Sequence, residues 1–145
     1  MKTKMSSRAV LLAIFLTLLA AAAGRAAENP AEAVAQAQKA AESWLALVDQ
    51  GQHAKSWEEA ASLFRGAVGK DAWVSAVGGV RGQVGKLKSR QLKSAQYATS
   101  LPGAPAGQYV VIQYDAVFAN RPAVETVTPM LDKDGTWRVS GYYVR

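Results

Sequence analysis

The chain has 145 residues, half of them apolar and 19% charged, the make-up of one globular domain rather than a fibrous or disordered chain. It has no cysteine and a single histidine, His53, which excludes disulfides, thiolate chemistry, zinc-finger sites and most catalytic triads. The formal charge of +6 suggests an anionic partner at first sight, but its distribution along the chain weakens that suggestion.

Residues 1–26 read as a secretory signal peptide. Lys2, Lys4 and Arg8 make a positive start, and Val10 to Ala23 form an uncharged, mostly aliphatic run. At fourteen residues the run falls short of the roughly twenty that a membrane-spanning helix needs. Gly24-Arg25-Ala26 offers a small-x-small cleavage site, with Ala21-Ala22-Ala23 as an alternative. Removing Lys2, Lys4, Arg8 and Arg25 with this segment lowers the formal charge from +6 to +2. Nucleic acid is thereby disfavoured as a partner, both by charge and by compartment. The expected location is secreted, in the bacterial periplasm, with no transmembrane segment in the mature chain and a single domain over 27–145.

Asn29-Pro30 opens the first predicted helix, with Asn as N-cap and Pro in the first turn. Val34, Ala37, Ala41, Trp44, Leu45 and Val48 recur at helical spacing as one apolar stripe, and Gly51 ends the helix. Ser56-Trp57-Glu58-Glu59 matches a capping box, which predicts a second helix starting there and loosening at Gly66 and Gly69. Asp71 is placed to cap a third helix bearing Trp73, Val77, Val80 and Val84 on its apolar face. Gly78-Gly79 weakens that helix by about 1 kcal/mol per glycine relative to alanine.

After Gly85 the period changes. Leu87 to Leu101 is polar and basic but compatible with a strand, and 102–107 is a connector rich in Pro and Gly. Gln108 to Ala119 alternates cleanly, with Val110, Ile112, Tyr114, Ala116 and Phe118 on one face. Val124 to Leu131 is a third strand, which Pro129 assigns to an edge or a bulge. Asp132-Lys133-Asp134-Gly135 is a hairpin turn, followed by a strand over 136–144 with Trp137, Val139, Gly141 and Tyr143 on one side. Tyr142 and Tyr143 cannot both face inward on a regular strand. About three helices and then four sequential strands give an α+β fold, with the helices on a curved antiparallel sheet of cone- or cystatin-like shape.

Five stretches, Ala40 to Gly51, Ser56 to Ala60, Gln108 to Tyr114, Val124 to Pro129 and Gly135 to Tyr143, resemble a small exported bacterial family of unknown function. That resemblance implies no activity and transfers no catalytic residue. At the level of fold, the long helix ending Trp44 to Gly51, a short helix and then strands is similar to the nuclear-transport-factor-two-like superfamily. This second resemblance implies a sheet curled around a helix and a conical pocket, and fold alone assigns no chemistry to it.

Candidate chemistry is sparse, and nothing in it requires a cofactor or metal. His53 with Asp49 could form a base and its orienting partner, although a connector position is more simply an exposed loop. Tyr109, Gln113 and Asp115 share the mixed face of the second strand and form a candidate pocket, with Asp115 as ligand anchor or general base; Glu125 has the same ambiguity. Arg81, Lys86, Lys88, Arg90 and Lys93 form a candidate basic surface, within a segment from Arg65 to Lys93 that carries Asp71 as its one acid. The expected function is a non-catalytic envelope domain that binds a small ligand or an envelope protein. The alternatives are a small isomerase- or lyase-type enzyme using Asp115, or a surface-adhering module using the basic segment.

Overall fold

The computed structural model describes residues 29–145. The predicted signal peptide lies outside the described residues. Four helices precede four strands: α1 (Pro30–Asp49), α2 (His53–Glu58), α3 (Ser62–Ala67), α4 (Lys70–Val84), β1 (Leu87–Ala98), β2 (Tyr109–Phe118), β3 (Pro122–Leu131) and β4 (Trp137–Val144). The strands form one antiparallel meander in the order β1-β2-β3-β4, open at both edges and not closed into a barrel.

Helix α1 is the spine of the packing. Asn29 accepts a hydrogen bond from the Ala31 amide at its start, and Gly51, at φ +74°, ends it in the left-handed region. Its buried stripe of Ala33, Ala37, Ala41, Trp44, Leu45 and Val48 lies across all four strands. The small alanines let the helix sit close to Val110, Ile112, Tyr114, Val127 and Val139 on the sheet, and the larger residues fill the far end. Helix α4 packs chiefly on α2 and joins the sheet at one end, where Val84 meets Ala116 and Phe118.

The second predicted helix is two short ones, and the capping box at Ser56 is overturned. Helix α2 begins at His53, so Ser56 sits inside it, fully buried. Its hydroxyl donates to the His53 carbonyl (2.7 Å) and accepts from the Trp73 indole (3.0 Å), while its carbonyl accepts from the Trp44 indole (2.7 Å). A serine bonded back to the preceding turn is serving the tertiary structure rather than a helix start. The chain then breaks at Ala60-Ala61, where the Ala61 amide donates to the Val139 carbonyl of β4 (2.8 Å). Helix α3 is capped from outside: Asp132, in the β3–β4 turn, accepts from both the Ser62 amide (2.9 Å) and hydroxyl (2.6 Å). Helix α4 takes Gly69 as its N-cap, two residues earlier than the Asp71 cap that the sequence suggested.

Pro129 sits at a bulge and not on an edge. The register of β3 and β4 shifts between Thr128 and Pro129, leaving Ser140 as the extra residue, with its hydroxyl bonded to the Thr128 carbonyl (2.7 Å). One inserted residue reverses which face each later side chain occupies. Trp137 and Val139 therefore face the core before the bulge, and Tyr142 turns inward after it while Tyr143 is left outside. The strict alternation expected for 136–144 fails for this reason. The β3–β4 turn forms as expected, with Gly135 at φ +80°. Ser56→Ala would leave the buried Trp73 indole N–H without its acceptor; urea unfolding of this variant is expected to show a loss of about 1–3 kcal/mol.

Candidate functional site

Regular β2–β3 pairing places Glu125 opposite Tyr114, on the face covered by α1. Its side chain is fully buried, and a carboxylate taken out of water is stable only when paired and hydrogen-bonded. Arg90, reaching in from β1, provides the pairing with Nε at 2.6 Å from Oε1 and Nη2 at 3.1 Å from Oε2. The Tyr142 hydroxyl donates to Oε2 at 2.6 Å, and the Arg81 guanidinium from α4 lies 3.8 Å away. Asp49, the last residue of α1, completes the set by accepting from Arg90 (2.8 and 3.0 Å) and from Arg81 (2.8 Å). Two guanidinium groups and two carboxylates thus cancel within one cluster, which ties together α1, α4, β1, β3 and β4.

The cluster perturbs its members in consistent directions. Burial pushes the Asp49 carboxyl up, but hydrogen bonds from Arg90 and Arg81 outweigh it and hold the group below its ordinary value. Burial, reinforced by the charge of Glu125, raises the Tyr142 hydroxyl, so it stays a donor. Tyr114 is pushed up to about 12, first by burial and then by Glu42. Its buried hydroxyl has no hydrogen-bond partner among the described residues.

The candidate residues from the sequence separate. Tyr109 is buried, with its hydroxyl donating to the Pro105 carbonyl (2.7 Å), and Gln113 is half-buried. Asp115 is on the outer face of the sheet with its side chain 60% exposed, 3.2 Å from Lys93. It lines an open groove of about 530 Å³ with Ser89, Gln91, Val117, Val124 and Arg145, a set that includes neither Tyr109 nor Gln113. The fully buried carboxylate is Glu125, a strand away. Arg81 and Arg90 leave the candidate basic surface, since both turn inward onto Asp49 and Glu125; Lys86, Lys88 and Lys93 stay exposed. Asp49 is spent on the two arginines, although it lines the same cleft as His53. Parity alone could have pointed to Glu125, because it falls opposite an inward Tyr114; Asp49, Arg81, Arg90 and Tyr142 share no sequence spacing that announces their meeting.

Among the described residues no three His, Asp or Glu side chains gather as a metal site, and no helix is long and apolar enough to cross a membrane. Fold and cluster together define a small α+β domain with an ionic cluster between its helices and its sheet, whose other sheet face is open. The chain belongs to a family described as proteins of unknown function, DUF4019, whose model matches residues 40–142. No curated protein matches it, and no solved structure matches it.

Two outcomes test the cluster. Glu125→Ala would remove the buried partner of Arg90 and Tyr142 and leave Asp49 as the one carboxylate for two guanidinium groups, and is expected to cost about 3–5 kcal/mol in urea unfolding. Because the Asp49 carboxyl is lowered on folding, its contribution is complete above its ordinary value of 3.8 and is lost as pH falls below that. The acid limb of stability against pH should therefore flatten in Asp49→Asn, as read by urea midpoints between pH 2 and 6.

Proposed function

We propose that this domain works outside the cytoplasm, in the bacterial periplasm, as a non-catalytic module that binds a small ligand or an envelope protein. The positive start, short aliphatic run and small-residue site over 1–26 support export. The observation that carries the binding role is the saturation of the carboxylates in the ionic cluster. Glu125 and Asp49 are held by Arg81, Arg90 and Tyr142, so neither is free to take a proton from a substrate. Asp115, the base that an isomerase or lyase reading would need, is exposed and paired with Lys93, where water rather than a dry pocket sets its behaviour.

The outer groove supports a small polar ligand. It offers one carboxylate in Asp115, one guanidinium in Arg145, and the uncharged polar Ser89 and Gln91 beside apolar Val117 and Val124. Few convergent polar groups on an apolar floor are what orient a small molecule. A panel of free amino acids and simple sugars, screened by thermal shift, should contain a compound that raises the melting temperature. A ligand at a hundred times its Kd stabilises by about 2.7 kcal/mol. The shift should vanish in Asp115→Lys, whose exposed site leaves folding intact. An unaltered shift in that variant, or none with any compound, overturns the groove as the site. Export is tested by intact mass: the secreted product should begin near Ala27, and retention of residues 1–26 overturns that part.

A further inference from the structure

We propose that the cleft where α1, α2 and α4 meet binds a small oxyanion of the phosphate class, held by His53 and Lys86. The cleft has a volume of about 300 Å³ and is lined by Asp49, His53, Gly78, Arg81, Gly82 and Lys86 among others. It lies on the helical side of the molecule, apart from the outer groove of the sheet.

The argument rests on which polar groups at this corner are already engaged. Asp49, Glu125, Arg81 and Arg90 cancel one another in the ionic cluster, of which Asp49 and Arg81 form one wall of the cleft. That leaves the Lys86 ammonium as surplus positive charge. It has no side-chain partner among the described residues, and neither does the half-buried His53 ring, which rests beside Gly78. Several backbone acceptors at this corner are already occupied. At the end of α1 the Ala46, Leu47 and Val48 carbonyls accept from the Gln50, Gln52 and Gly51 amides. At the end of α4 the Arg81 carbonyl accepts from the Gly85 amide, and the Gln83 and Val84 carbonyls from Asn120. Two unpartnered nitrogen donors, one of them carrying a full positive charge, suit an anion.

The shape agrees with that assignment. A Cβ on Gly78 would meet only the His53 ring, at 3.7 Å, and a Cβ on Gly82 would meet no heavy atom within 4 Å. Packing therefore does not demand glycine at 82, although an interior helical glycine is unfavourable relative to alanine. The bare backbone keeps this wall of the cleft open. A tetrahedral oxyanion directs oxygens several ways at once and can meet donors from α2 and from the end of α4 together, which a planar carboxylate does less well.

His53 is the sole histidine, so its ring resonances report on this cleft alone. Inorganic phosphate, titrated at constant pH and ionic strength, should shift those resonances saturably, whereas chloride and acetate should not. Lys86→Gln should weaken the effect about tenfold, in line with the loss of one charge-assisted hydrogen bond. Gly82→Leu should abolish it while raising Tm, because the leucine fills the cleft and removes a helical glycine. A linear shift, an equal response to chloride, or an unchanged response in Gly82→Leu overturns the proposal. Lys86-dependent capture by phosphatidic acid vesicles, together with saturation by free phosphate, assigns the site to a headgroup; saturation without capture assigns it to a soluble phosphate. Capture without saturation overturns the cleft as the site.

Discussion

A single buried carboxylate imposes the most demanding constraint on this fold. Glu125 is fully inside, and its charge is tolerable only because Arg90, Tyr142 and Arg81 reach it from β1, β4 and α4, with Asp49 at the end of α1 orienting both arginines. These groups come from five elements, so the ends of α1 and α4 cannot move relative to the sheet without unpairing a charge in a low dielectric. The apolar stripe of α1 decides that the helix lies on the sheet. The ionic cluster decides where along the sheet it stops.

The second organising device is the short helical pair between α1 and α4. Helices of six residues have little intrinsic stability, and these two are held by side chains from elsewhere. Trp44 and Trp73 converge on Ser56, Trp57 donates to the Val68 carbonyl (2.7 Å), and Asp132 caps α3 from the opposite end of the sequence. Burial pushes the Asp132 carboxyl up, but the hydrogen bonds from Ser62 prevail and hold it below its ordinary value. Trp44, Trp73, Phe64 and Tyr142 stack around this point at centroid distances of 5.0–6.3 Å. Three of the four tryptophans are thus structural anchors, each combining a large apolar area with one directed N–H.

The same economy supports the proposed binding role. With the Glu125 and Asp49 charges neutralised, the polar groups presented at the surface include Asp115 and Arg145 in the outer groove and His53 and Lys86 in the helical cleft. This distribution suits recognition, where donors and acceptors are presented to an incoming molecule, more than proton transfer, where a base must be both buried and unengaged. Membership of DUF4019 brings no assigned activity, so the side chains themselves carry the functional reading.

Hydrophobic periodicity alone determined the α+β class, the stripe of α1, the inward face of β2 and the hairpin at Gly135, because each depends on residues near one another in the chain. Local pattern was misleading where a side chain bonded across the fold: Ser56 resembles a helix cap until Trp73 claims its hydroxyl. It was also insufficient where one residue changed the register, since the bulge at Ser140 turns Tyr142 inward and Tyr143 out. The candidate site shows the same division. Arg81 and Arg90 read as surface charge and Asp115 as the notable carboxylate, but only the tertiary structure decided that the arginines turn inward to Glu125 and Asp49 while Asp115 stays in water. The physical reason is that desolvation and ion pairing depend on distances between elements, and partners 32 to 41 residues apart leave no periodic trace in the chain.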